Sequence, residues 1–151
     1  MPSDRECMDL CIQVSKGSKC KRTKVGALLL GFYGPDNAIL RHVAACNGSD
    51  LCKEKDCLRA NSAPGEDLDN CRGLHAEVRC ILNLVSTHGN VLCGTLFCTL
   101  SPCGSCARLI IASGIARVVY LNCYTDTTGI KLLEEAGIRV IKLEEETNGI
   151  S

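Results

Sequence analysis

The stretch GTLFCTLSPCGSCARLIIASGIARVVYLNCYTDTTGIKLLEEAGIRVIKL, Gly94–Leu143, decides the fold. Strand-like apolar runs at Gly94–Leu100, Ala116–Leu121 and Ile138–Leu143 are separated by helical segments at Cys103–Ser113 and Thr127–Ala136, which Gly114 and Gly137 close. Strands joined through helices run parallel, because a parallel neighbour can be reached only by a long crossover, and that crossover is right-handed. This third of the chain therefore predicts β-α-β-α-β.

Upstream, Leu74–Ser86 has helical apolar spacing at Val78, Ile81, Leu82 and Val85. Lys24–Tyr33 (KVGALLLGFY) is a continuous apolar run typical of a buried strand. Gly34-Pro35-Asp36-Asn37 is turn chemistry, and Ala38–Cys46 reads as a second strand, so the two form an antiparallel hairpin. Asp4–Lys16 carries Cys7, Met8, Cys11, Ile12 and Val14 as a helical stripe, with Ser3 or Asp4 to cap its start. The expected fold is α/β with three layers, α/β/α: a mixed five-stranded sheet with an N-terminal antiparallel hairpin, parallel last strands and helices on both faces. Residues 1–151 form one domain, interrupted by a polar 47–73 insertion that contains Cys52, Cys57 and Cys71. A loop of that length inside a compact domain needs something to hold it.

Lysine plus arginine equals aspartate plus glutamate at 17 each, and aromatic residues make up 3% with no Trp. A nucleic-acid binder needs a basic surplus and stacking rings, so a polymer partner is disfavoured, while a small anionic ligand fits. The first residues, Met1-Pro2-Ser3-Asp4-Arg5-Glu6, do not read as a secretion leader, and no apolar run is long enough to read as a membrane span. The 13 cysteines are therefore read in a reducing, cytoplasmic setting. They divide between metal ligands and core residues, the latter being Cys7, Cys11, Cys80, Cys93, Cys98 and Cys123.

Two motifs carry chemistry: His75-Ala76-Glu77 and Pro102-Cys103-Gly104-Ser105-Cys106. This H-x-E … P-C-x-x-C pairing is the signature of zinc-dependent deaminases. His75, Cys103 and Cys106 give three of the four tetrahedral positions, and a catalytic zinc keeps the fourth for water. Cys103 and Cys106 stand three apart at a predicted helix start, which puts both sulfurs on one face and favours thiolates. Pro102 suits that position because its missing N–H costs nothing there. Glu77 is not needed as a ligand; a carboxylate beside the water can carry its proton. His42 reads as a strand residue and His88 as a surface-loop residue.

On these motifs, together with Thr23–Ala27, Asn47-Gly48-Ser49, Cys71–Leu74 and Ser113–Tyr120, the chain resembles the deoxycytidylate (dCMP) deaminase family of the cytidine deaminase-like superfamily. The resemblance covers Ser15–Ile141, and the cysteine-bearing insertion before His75 is its more specific part. It implies that Asn47 hydrogen-bonds the nucleotide near its sugar, that Val25 and Ala76 line the base pocket, and that Tyr124 packs near the substrate. It also implies a homo-oligomer, often a hexamer, with a dCTP effector carrying Mg2+ as activator and dTTP as inhibitor, at the Gly26–Asn47 hairpin. The chain departs from the family at Arg79 and Cys80, where Asn and Ala are common, and at Cys46, which replaces an aromatic. Arg79 reads either as a phosphate ligand or as a solvated helix residue.

Cys20, Cys52, Cys57 and Cys71 could close a second, structural zinc site that orders the insertion, and some members of the resembled family carry such a zinc. Cys46 competes with Cys20 for the fourth place. The expected reaction is hydrolysis of dCMP to dUMP and ammonia. The alternatives are action on dCTP, on another free cytosine nucleotide or nucleoside, or on a nucleic acid. The insertion and the parallel last strand separate the chain from the nucleoside branch, whose last strand by resemblance runs antiparallel.

Overall fold

The structure is a computed structural model that describes residues 1–33, 36, 39–89 and 92–145. Along the chain run α1 (Asp4–Ser15), β1 (Gly26–Tyr33), β2 (Ile39–Cys46), α2 (Asp50–Glu54), a 3-10 turn (Leu68–Asn70), α3 (Ala76–His88), β3 (Leu92–Leu100), α4 (Gly104–Ala112), β4 (Arg117–Asn122), α5 (Thr128–Glu135) and β5 (Arg139–Lys142). The strands form one sheet in the order β2-β1-β3-β4-β5. The pairs β1–β2 and β1–β3 are antiparallel, whereas β3–β4 and β4–β5 are parallel. This is the expected mixed sheet. Of the hairpin turn, Gly34, Pro35, Asn37 and Ala38 lie outside the described residues.

The long apolar run of β1 follows from burial on both faces. Leu28 and Leu30 meet Cys7, Met8, Cys11 and Phe97 under α1. Ala27 and Leu29, one residue out of phase, join Cys80, Leu84, Leu96 and Ile110 under α3 and α4. The layers are unequal: α1 covers one face, and α3, α4 and α5 share the other. Ser3 caps α1 in a reciprocal capping box with Glu6. Gly26 lies against the Cys11 carbonyl of α1, so closely that any Cβ would collide with it. Burial raises the Cys11 and Cys80 thiols to about 12 and also pushes Cys98 well up, which keeps them neutral.

Several expectations shift. β1 begins at Gly26 rather than Lys24, whose side chain is exposed. The buried stripe of α3 is Ala76, Glu77, Cys80, Ile81 and Leu84, while Leu82 and Val85 face outward. Counting apolar residues alone set the phase wrongly, because a glutamate occupies a buried position. His88 ends α3 instead of lying in a loop, its ring 5.7 Å from that of Tyr33. Cys93 and Cys123 are exposed, not core residues, and Cys93 has a positive φ of 52° at the start of β3.

Candidate metal centre and substrate cavity

The sheet registers gather the sequence motifs at one end. Gly26 pairs with Cys46, Ala27 with Cys98, and Leu100 with Asn122. The start of β1, the end of β2 and the carboxyl ends of β3 and β4 are therefore neighbours. In open α/β sheets this carboxyl edge is where ligands bind. The N-termini of α3 and α4 reach the same edge: His75 is the N-cap of α3 and Cys103 the N-cap of α4. Gly129 of α5 presses on this corner, its position for a Cβ lying 2.8 Å from the Cys103 carbonyl oxygen and closer still to that of Pro102.

His75 Nδ1 lies 3.2 Å from Cys106 Sγ and 3.7 Å from Cys103 Sγ. All three donor atoms fall within 4.8 Å of one another. A tetrahedral zinc with ordinary bond lengths would separate such donors by about 3.6 Å (N to S) and about 3.8 Å (S to S). The residues thus fit the ion. Without an ion the donors share protons: Cys103 falls to about 3, because the Cys106 thiol donates to it and His75 lies beside it against the cost of burial, while that same hydrogen bond and burial raise Cys106. His75 is raised, chiefly by its hydrogen bond with Cys103 and against desolvation. Both helix N-termini further favour negative charge here.

Glu77, 5% exposed, stands 3.8 Å from Cys106 Sγ, and burial raises its carboxyl above the usual range. It faces a cavity of 430 Å³ that also contains Val25, Asn47, Ala76 and Tyr124 in its walls. Val25 and Ala76 are buried, and Tyr124 is half-buried, its backbone N–H donating to Ser101 Oγ at 2.7 Å. Asn47 is largely engaged with protein. Its Oδ1 accepts from Val25 N–H and Ser18 Oγ, and its amide donates to the Thr23 carbonyl. One amide N–H remains for a ligand. Arg79 matches neither reading: it is half-buried, does not line the cavity, and donates to the Gly48 carbonyl at 2.5 Å.

The insertion closes at its base, where Gly48 and Leu74 form an antiparallel bridge. Cys20, Cys52, Cys57 and Cys71 all line the cavity. They do not converge; among the described residues, His75, Cys103 and Cys106 are the one group of His, Cys, Asp or Glu donors assembled closely enough for a metal. Cationic side chains hold the insertion instead. Arg22 donates to the carbonyls of Arg59 and Ser62, Lys21 to that of Lys55, and Arg72 to that of Asp56. Sequence reasoning missed Ser18 and Arg59. Ser18 gives no motif signal, whereas Arg59 is a cation in an insertion already singled out.

A mixed sheet carrying H-x-E and P-C-x-x-C at its carboxyl edge defines the class of zinc-dependent deaminases. Residues 1–122 match the family model described as the cytidine and deoxycytidylate deaminase zinc-binding region, and the chain belongs to that family. Its fold is the cytidine deaminase-like α/β fold. It is similar to the Schizosaccharomyces pombe deoxycytidylate deaminase, with 31% identity over 97% of this chain and 46% of that protein. A probable deoxycytidylate deaminase of Drosophila melanogaster is 50% identical over 72% of this chain and 53% of that protein. The chain spans about half the length of these curated relatives. The structure also resembles that of the cyanophage S-TIM5 dCMP deaminase in complex with dCMP and dUMP: the TM-score is 0.66 and the identity 30%, over 95% of this chain and 98% of that one. No helix among the described residues is long and apolar enough to cross a membrane.

Proposed function

We propose that the chain hydrolyses deoxycytidylate to deoxyuridylate and ammonia. The observation that carries this reading is the convergence of His75, Cys103 and Cys106 beside a buried Glu77, on a cavity large enough for a nucleotide. The kinship with deoxycytidylate deaminases supplies the substrate class. Zinc held by the three donors supplies a Lewis acid that makes a water acidic near neutral pH. Glu77 takes one proton of the attacking water to the ring nitrogen, then takes the proton of the hydroxyl formed at the ring carbon to the departing amino group. Water adds at the ring carbon that carries the amine, the C–N bond breaks, and ammonia leaves. Val25 and Ala76 confine the base, Asn47 orients the sugar through its remaining N–H, and Tyr124 closes the side of the cavity.

The same reading includes a homo-oligomer, with a hexamer favoured, placed in the cytoplasm, and a dCTP effector with Mg2+ opposed by dTTP. It also includes a second zinc drawn from Cys20, Cys52, Cys57 and Cys71, which line one cavity, the last three from the insertion. Zinc analysis then gives two ions per chain; one ion per chain removes the second site. The reaction is tested by incubating the zinc-loaded chain with cytidine, dCMP, CMP, dCTP and guanine while following the ultraviolet change, with and without dCTP and dTTP as effectors. Turnover of dCMP ahead of the others is the expected result. A preference for cytidine or guanine would refute the assignment.

A further inference from the structure

Five cations line the cavity: Lys21, Arg22, Arg59, Arg72 and Arg108. Four have visible occupations. Lys21, Arg22 and Arg72 donate to carbonyls of the insertion, and the exposed Arg108 reaches the Ser105 hydroxyl. Arg59 differs from them. It is 8% exposed and is the one buried residue of the 49–73 segment. Its Nε donates to the Glu66 carbonyl at 2.9 Å, which fixes the plane of the guanidinium. Its two terminal nitrogens make no hydrogen bond to the described residues, yet they are not sealed from solvent. No described carboxylate lies within ion-pair distance of it.

A desolvated cation without a counter-charge is costly. A planar fork with one edge anchored and the other open to a cavity is the geometry that binds an oxyanion through two hydrogen bonds. Arg59 lines the same cavity as His75, Glu77 and Cys103. We infer that Arg59 binds the 5′-phosphate of the nucleotide and is the residue that selects nucleotide over nucleoside. This rests on the deaminase reading above and adds a specificity determinant to it. The insertion then has a purpose beyond covering the site: it delivers one positive charge, pre-oriented by Glu66, to the cavity wall.

The test compares kcat/KM for dCMP and deoxycytidine in zinc-loaded wild type, Arg59→Gln and Arg59→Lys. Arg59→Gln is expected to lose about 30- to 100-fold on dCMP, the scale of a lost charged hydrogen-bond pair. The loss falls mainly on KM, and deoxycytidine changes less than about threefold on the same grounds. Arg59→Lys restores part of the loss, since it keeps the charge without the fork. Equal losses on both substrates, or no loss on dCMP, overturn the inference. A measurement on the wild type covers a variant that does not fold. Modification of Arg59 by phenylglyoxal, read by peptide mass, is expected to slow with dUMP and not with deoxyuridine; equal rates overturn the proposal. Wild type that protects Arg59 with dUMP but never deaminates dCMP would sink the reaction reading and leave the phosphate site standing.

Discussion

The corner that holds His75, Cys103 and Cys106 and the 49–73 insertion that faces it are both rich in cysteine, and both line one cavity. They are built on different principles. The corner is rigid because its donors are N-caps and first-turn residues of helices whose buried faces are locked against the sheet. The insertion buries one side chain, and that side chain is charged. Its order comes from guanidinium and ammonium groups that donate to its carbonyls, and from the Gly48–Leu74 bridge at its base. The proposed chemistry thus rests on the first kind of support and the proposed ligand selection on the second. A metal corner must hold its donor angles within about 10–20°, whereas a wall tied down by cations on carbonyls has more freedom.

The sharpest way to break this division is at Glu77. Replacement by Gln keeps shape and hydrogen bonding but removes the proton carrier. Activity is expected to fall about 10³-fold or more, with zinc content unchanged by atomic absorption. A variant that retains activity would move the proton shuttle to another residue and leave the corner with a structural role.

Zinc removal comes next. A ligand that binds only the folded state contributes by mass action, about 4 kcal/mol at a thousandfold over its Kd. Chelation should therefore lower Tm substantially. The frame under the donors is a hydrophobic core rather than the metal, so the far-ultraviolet dichroism at room temperature should persist. Collapse of that signal on chelation would show that the ion, not the packing, builds the corner.

Gly129→Ala attacks the same corner from behind. The new methyl has no room against the Pro102 and Cys103 carbonyls, and overpacking of this kind costs about 1–3 kcal/mol. The loss should appear both as a lower Tm and as weaker zinc retention, because the strain falls on a ligand's own backbone. A lower Tm with unchanged zinc affinity would mean that α5 yields and the corner does not.

The corner was legible in the sequence and the insertion was not, for a physical reason. Cys103 and Cys106 signal through fixed spacing on a helix start, and β3, α4, β4, α5 and β5 signal through apolar period. Both are local patterns, and the elements appear in the expected order with ends shifted by one or two residues. The insertion depends on pairings between residues 37 and 40 positions apart, Arg22 to the carbonyls of Arg59 and Ser62, which no local period records. Its cysteines drew attention to a metal, while the cations that hold it belong to no motif. The same blindness set the phase of α3, where the buried Glu77 had to be counted among apolar positions.

Arg22→Ala gives the smallest effect and discriminates best between the two regions. The substitution removes two side-chain donors from the carbonyls of Arg59 and Ser62. Those carbonyls lie in an insertion that is mostly exposed, so water can replace the lost partners, and the cost should be only about 1 kcal/mol. It should also be local. The amides of Ala60, Ser62 and Glu66, which close turns inside the insertion, should exchange about five- to tenfold faster on that energy scale. The amides of α3 and α4 should keep their protection, and zinc content should stay at its wild-type value. If exchange in α3 rises in step with exchange at Ser62, the insertion and the corner unfold as one unit. The separation of rigid chemistry from adjustable recognition would then fail at its root, because loosening the ligand-selecting wall would loosen the metal donors with it.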